Sequence, residues 1–187
     1  MGIQFQFSDI IQNIKNYPTT EICQNHLNYF LETIKSKDYG FFRINNDTSL
    51  IEQSEAVYEK FKSKKYFIHV GIGGSSLGTE TLVKSLGKPF LKNKIFFINN
   101  IDPDDIRDTL DQVDLKESLF FFVSKSGGTA ETIASFNLIF NTFKENGFEE
   151  DYFYKNIVIA TDPKIGQLRK IANKYKIDTL PIPENIG

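Results

Sequence analysis

The chain has a single cysteine, Cys23, so no internal disulfide framework can hold it together, and a reducing cytoplasm suits it. Basic excess is absent too: 22 Lys and Arg stand against 24 Asp and Glu, a formal net charge of −2. Gripping a nucleic-acid backbone needs a basic surplus or stripe, so that class of function drops out. Long apolar runs are missing. The longest, Leu119–Val123, is five residues, against the roughly 20 of a membrane-spanning helix. The N-terminus lacks the basic-then-apolar order of a secretory signal, and Gln6 breaks the N-myristoylation pattern. Arginine is scarce (Arg43, Arg107, Arg169) and histidine scarcer (His26, His69). What remains is ordinary: 187 residues, 40% hydrophobic and 25% charged, the proportions of one globular domain with a sizeable core.

Residues 1–62 read as a helical segment packing on the domain that follows. From Thr20 to Lys35, Ile22, Leu27, Phe30, Leu31 and Ile34 have the spacing of one buried helical face. Gly40 reads as a helix stop and Asn45-Asn46 as a turn. Leu50, Ile51, Val57, Tyr58 and Phe61 then predict a second helix, with Asp47 or Thr48 as its N-cap.

The texture changes at Lys64. Four short apolar runs follow, Tyr66–Val70, Ile95–Ile98, Leu119–Val123 and Ile157–Ala160, each trailed by a helix-length amphipathic segment. Runs without alternation predict strands buried on both faces, as in a parallel sheet covered by helices. Asp102-Pro103-Asp104-Asp105 supplies an N-cap, a proline at the first helical position and first-turn acids. Asp162-Pro163 repeats that start for a helix with a buried stripe of Ile165, Leu168, Ile171 and Tyr175. Ile133, Phe136, Phe140 and Phe143 form the stripe of the helix after the third strand. A last run, Thr179–Ile182, contains Pro181 and fits only a sheet edge. The fold class is α/β, a three-layer doubly wound parallel sheet.

In such sheets ligands bind beyond the carboxyl ends of the strands. The first strand enters Gly71-Ile72-Gly73-Gly74-Ser75-Ser76-Leu77-Gly78, and the third enters Ser124-Lys125-Ser126-Gly127-Gly128-Thr129-Ala130-Glu131-Thr132. Glycines permit close backbone approach, hydroxyls donate, Lys125 adds a positive charge, and each loop opens a helix whose N–H groups suit an anion. A phosphate monoester needs this set. A dinucleotide does not fit, since Ser76 replaces a glycine and Asn99-Asn100 replace the ribose-binding acid. A P-loop fails at Thr79-Glu80. Taken singly, either loop also fits a turn that needs glycine for packing, with Thr129 a simple cap and Lys125 a solvated charge. Sharing one sheet edge favours the ligand. If both loops hold one phosphate, strands one and three are neighbours, which predicts the order 2-1-3-4 with the Pro181 run as a short fifth strand at the edge.

GIGGSSLG followed by SKSGGTAET resembles the phosphoglucose isomerase family, specifically its first sugar-isomerase (SIS) domain. The ending Pro183-Glu184-Asn185-Ile186-Gly187 is similar to the start of a further signature of that family. The resemblance implies reversible conversion of glucose 6-phosphate to fructose 6-phosphate without a metal or an organic cofactor. It implies a cytoplasmic, homodimeric parent whose partner is a sugar phosphate, not nucleic acid or membrane. By position, Gly74, Ser75 and Ser76 match the first phosphate-contacting stretch. Ser124, Lys125, Ser126, Gly127, Gly128 and Thr129 match the second. Ser126 stands where the family often has Thr, and Gly128 where it usually has Thr, so one hydroxyl is lost. Glu131 matches an acid that helps arrange the active site.

Aldose–ketose chemistry also needs a ring-opening acid/base, a base moving a proton between C1 and C2, and a cation for the enediolate. His26 falls within a helix and His69 mid-strand, both read as structural, and the three arginines fall away from the loops. The family's proton-transferring Glu, ring-opening His, stabilising Arg and Lys come after the segments present here. Residues 63–187 are therefore expected to be the phosphate-binding domain of a longer isomerase whose catalytic second domain is absent. Such a chain binds sugar phosphates weakly and does not turn them over. The main rival is a stand-alone sugar-phosphate-binding regulatory module, but residues 1–62 lack a basic helix-turn-helix. A nucleotide-binding α/β protein is the second rival.

Overall fold

A computed structural model describes residues 20–36, 40, 44, 47–86 and 93–186. The apolar runs become strands β1 (Tyr66–Val70), β2 (Lys94–Ile98), β3 (Ser118–Ser124), β4 (Ile157–Thr161) and β5 (Asp178–Pro181). Every pairing is parallel, in the order β2-β1-β3-β4-β5. This is the expected order, with the fifth strand at the edge. Pro181 ends β5, where the missing N–H breaks no inner ladder.

Helices α1 (Thr20–Ser36) and α2 (Thr48–Phe61) precede the sheet. Helices α3 (Leu77–Leu86), α4 (Pro103–Leu110), α5 (Ala130–Glu145), α6 (Glu150–Lys155) and α7 (Gln167–Tyr175) lie between its strands. The caps follow the sequence for two of them. Asp47 accepts the Ser49 N–H at 3.1 Å, and Asp102 accepts the Asp104 N–H at 2.9 Å with Pro103 behind it. The start of α7 departs from expectation. Asp162 accepts the N–H groups of Lys164 (2.7 Å) and Ile165 (2.9 Å), a side-chain turn that competes with helix initiation. The helix begins only at Gln167, so Ile165 lies outside it and is exposed, while Leu168 and Ala172 form the buried stripe. Gly40 is likewise no stop for α1, which ends at Ser36. Its N–H bonds the Asn185 carbonyl at 3.0 Å. Asn45-Asn46 lie outside the described residues.

Strand alternation divides the apolar residues between two unequal faces. Ile68, Val70, Phe120, Phe122, Ile157 and Ile159 meet Ile106 and Leu110 of α4, Phe136, Ile139 and Phe143 of α5, Phe153 of α6 and Leu168 of α7. Their rings contact edge-on, Phe120 to Phe143 at 5.6 Å and Phe143 to Phe153 at 5.2 Å. Burying each such ring contributes about 1.5–3 kcal/mol, and each aromatic pair about 0.5–1.5 more. On the other face Phe61 and Val57 of α2 cover only Leu119, Val158 and their neighbours. An apolar groove of about 220 Å³ remains between α2 and α3, lined by Tyr58, Phe67, Val83, Phe121 and Leu180. Burial on both faces therefore holds along all of β4, only in part for β1 and β3, and fails for β2, which lies at the sheet edge with only Ile98 buried.

The apolar face of α1 also departs from expectation: Ile22, Leu27, Phe30 and Leu31 are about half exposed. Helical periodicity specifies a face to be covered, not the element that covers it. The unequal faces give a direct test. Phe143→Ala should cost about 3–5 kcal/mol, whereas Leu82→Ala, on the exposed side of α3, should cost less than about 0.5 kcal/mol. Chemical denaturation measures both, and the reverse ranking would place the core on the wrong face.

Candidate functional site

Register builds the site. Val70 is level with Ile98 on one side and Phe122 on the other, so β1 and β3 end side by side. From β1 the next strand lies to one side and β3 to the other, which makes their shared end the switch point of the sheet. Both glycine–hydroxyl loops emerge there, each running into a helix whose first-turn N–H groups lack intrahelical partners.

The first loop folds back on the strand that feeds it. The Gly71 N–H bonds the Ile98 carbonyl at 3.1 Å, and Gly73–Ser75 make one tight turn, with Ser75 N–H on Ile72 and Ser76 N–H on Gly73. A Cβ on Gly71 would lie 2.7 Å from the Ser75 carbonyl oxygen, so only glycine permits this return. Gly74 is exposed and Ser75 half-buried. Ser76 is fully buried, and its hydroxyl has no hydrogen-bond partner among the described residues. Beneath the loop, His69 Nε2 lies 2.7 Å from the Ser75 carbonyl oxygen.

The second loop is tied to the next strand. Asp162 N–H bonds the Lys125 carbonyl at 3.0 Å, and Leu168 N–H bonds the Gly127 carbonyl at 2.8 Å. Gly127 has φ +64°, and a Cβ there would lie 2.6 Å from Thr161 Oγ1, so conformation and space both demand glycine. Thr129 occupies the N-cap position of α5 without capping it. Its hydroxyl instead contacts that of the buried Ser124 at 2.8 Å. One hydrogen serves that contact, leaving the pair a second to offer elsewhere. Ser126 and Gly128 are exposed, the Gly128 N–H bonding Ser126 Oγ at 3.2 Å, while Lys125 and Thr129 are half-buried. Glu131 is exposed in the first turn of α5.

The structure thus sorts the residues singled out from the sequence. Gly74, Ser75, Lys125, Ser126, Gly128 and Thr129 reach the surface at the switch point, whereas Ser76, Ser124 and Gly127 shape it from within. Arg107 pairs with Asp104 at 3.0 Å on the surface. Arg169 is buried, donating to the Asp162 carbonyl and the Thr179 hydroxyl. His26 is exposed on α1, and Arg43 lies outside the described residues. Asn99, at the end of β2, donates to Glu80 at 3.2 Å. Hydrogen bonding from Lys84 does most to hold the Glu80 carboxyl below its ordinary range. Among the described residues no three His, Cys, Asp or Glu side chains gather as a metal site.

One residue at this edge escaped sequence reasoning. Thr161 ends β4 under Gly127, and nothing in the sequence ties it to that loop. His69, read from the sequence as structural, is indeed buried, and it interrupts the run Tyr66–Val70 just before the glycine loop. Burial pushes its imidazole below the ordinary value of 6.5, and the Ser75 carbonyl and Glu80 charge oppose that shift without cancelling it. The unfolded chain therefore takes up this proton first. The associated stability is complete above pH 6.5 and is lost as pH falls through the window down to the folded value. The melting temperature of the wild type should drop across that window more than that of His69→Gln. Parallel pH profiles would mean that His69 titrates alike folded and unfolded.

A doubly wound sheet whose switch point carries two hydroxyl- and glycine-rich helix starts defines an α/β domain of the sugar-isomerase class. The structure is similar to that of hypothetical protein TT0462 from Thermus thermophilus, with TM-score 0.77 and 27% identity, over 89% of this chain and 40% of that one. The sequence profile described as phosphoglucose isomerase matches residues 42–179, and the chain belongs to that family. It is 28% identical to a probable glucose-6-phosphate isomerase of Methanococcus maripaludis, over 99% of this chain and 44% of the relative. It is 33% identical to the glucose-6-phosphate isomerase of Rubrobacter xylanophilus, over 79% of this chain and 36% of the relative. The chain thus spans less than half the length of these curated relatives.

Proposed function

We propose that the two loops clamp the phosphate of glucose 6-phosphate and fructose 6-phosphate, and that this chain is the phosphate-holding part of an aldose–ketose isomerase. The observation that carries this reading is the parallel register of β1 and β3, which sets both loops and both helix starts at one sheet edge. Lys125 supplies the positive charge, and Ser75, Ser126 and Thr129 supply hydroxyl donors. The backbone of Gly74 and Gly128 and the first turns of α3 and α5 surround the remaining oxygens. Ser76, Ser124 and Gly127 hold the loops in shape. A charge-assisted hydrogen bond contributes about 1.5–3 kcal/mol, a neutral one about 0.5–1.5, and a helix N-terminus about 0.3–1. Together these favour a dianion over a neutral sugar.

Isomerisation asks for more. Glu131 is the one carboxylate within the two loop motifs, and we assign it the role of arranging the active site. Opening the ring and moving a proton between C1 and C2 fall to groups outside these 187 residues, a reading supported by curated relatives more than twice as long. Residues 63–187 form the binding domain in this scheme. Of the helical segment assigned to residues 1–62, the packing of Val57 and Phe61 onto β3 and β4 supports the placement of α2 against it. The lone Cys23 supports a cytoplasmic setting. No helix among the described residues is long and apolar enough to cross a membrane.

Calorimetric titration with fructose 6-phosphate should show Lys125→Ala weakening binding by about 1.5–3 kcal/mol and Ser75→Ala by about 0.5–1.5 kcal/mol. Equal affinity in wild type and Lys125→Ala would remove the lysine from the site. A coupled assay of the 187-residue chain should show no turnover. Appreciable isomerisation would mean that these residues hold their own acid and base.

A further inference from the structure

We infer that His69 is a positioning residue for phosphate recognition: its Nε2–H holds the Ser75 carbonyl from beneath and so sets the first loop in its binding shape. The inference rests on the reading of that loop as a phosphate clamp. Three features of the structure lead to it. First, a carbonyl oxygen only accepts hydrogen bonds, so the 2.7 Å contact requires the proton on Nε2. Second, the ring is held from both neighbouring strands. His69 is level with Phe97 of β2 and Phe121 of β3, and their centroids lie 5.4 and 5.6 Å from its own. With 5% of its surface exposed, the imidazole is fixed in place before any ligand arrives. Third, Gly71 clears the space through which the Ser75 carbonyl turns inward.

These contacts act on one peptide group. Its carbonyl points down to His69, and its N–H, that of Ser76, closes the tight turn on the Gly73 carbonyl at 3.0 Å. With both ends of that peptide engaged, Ser75 has little freedom to rotate, and its half-exposed side chain stays at the switch point. Without the imidazole, a part-buried carbonyl would lose its partner, and an inward turn would no longer be favoured over an outward one. An aliphatic strand residue could fill the same volume but could not hold the loop. A donor in the middle of an apolar strand therefore has a use beyond packing.

The test combines the wild type with two variants. Imidazole ¹⁵N spectra of the wild type at neutral pH should place the His69 proton on Nε2. A proton on Nδ1 alone would overturn the inference whether or not any variant folds. In titrations with inorganic phosphate and with fructose 6-phosphate, His69→Leu should bind about two- to tenfold more weakly. His69→Gln, whose side-chain amide reaches the same carbonyl, should stay within about twofold of wild type. The amides of Ser75 and Ser76 should lose exchange protection in His69→Leu and keep it in His69→Gln. If His69→Leu binds like wild type, or if His69→Gln binds as poorly as a folded His69→Leu, His69 is only a packing residue. A wild type that binds neither ligand overturns the phosphate clamp instead, and the tautomer and amide exchange then decide whether His69 holds the loop.

Discussion

Parallel hydrogen bonding between Tyr66–Val70 and Ser118–Phe122 is the contact on which the site depends. A whole strand–helix unit separates the two segments in sequence, and no local preference brings them together. Once they pair in this register, two glycine-rich turns leave the sheet side by side and two helix N-termini point toward one region. A shift of one residue would turn Ile68 and Phe120 from the large core to the sparse face. The aromatic packing of β3 against α5 and α6 therefore defends the geometry of the site as well as the stability of the fold.

Inward and outward roles alternate along both loops. Gly71 and Gly127 are places where any side chain would strike a neighbour, the Ser75 carbonyl in one case and the Thr161 hydroxyl in the other. Those close approaches leave Ser75 and Thr129 half-buried at the surface while Ser76 and Ser124 stay inside. Hydrogen bonds from Asp162 and Leu168 tie the second loop to β4 and α7. Both loops thus rest on the sheet, and the donors that the proposed phosphate would meet are already in place. The sparse face of the sheet contributes through His69, whose ring is packed like a core residue and whose nitrogen reaches the loop.

Much of this was legible in the sequence because it depends on local rules. Apolar runs without alternation marked four strands, three of them inner and the fourth, β2, at an edge; Pro181 marked the other edge, and Asp47 and Asp102 marked helix starts. The two loop motifs even predicted the strand order, on the premise that one ligand is held by both. Other features rest on contacts distant in sequence. Asp162-Pro163 has the composition of a helix start, yet the Asp162 carboxylate takes the Lys164 and Ile165 N–H groups for a turn of its own. The period of α1 gives a face and is silent on its cover, and its apolar residues stand half exposed. Ser76 and Ser75 look alike as letters, and only the fold decides which is buried. Thr161 and His69 gain their importance from register, which a reading of separate motifs does not contain.

The proposed clamp places one phosphate group at the shared end of β1 and β3. In a crystal structure of the chain with fructose 6-phosphate, phosphate density should lie between Ser75 and Thr129, with the Lys125 ammonium within hydrogen-bond reach of an oxygen. Phosphate density in the groove between α2 and α3, or anywhere else away from the two loops, would contradict it.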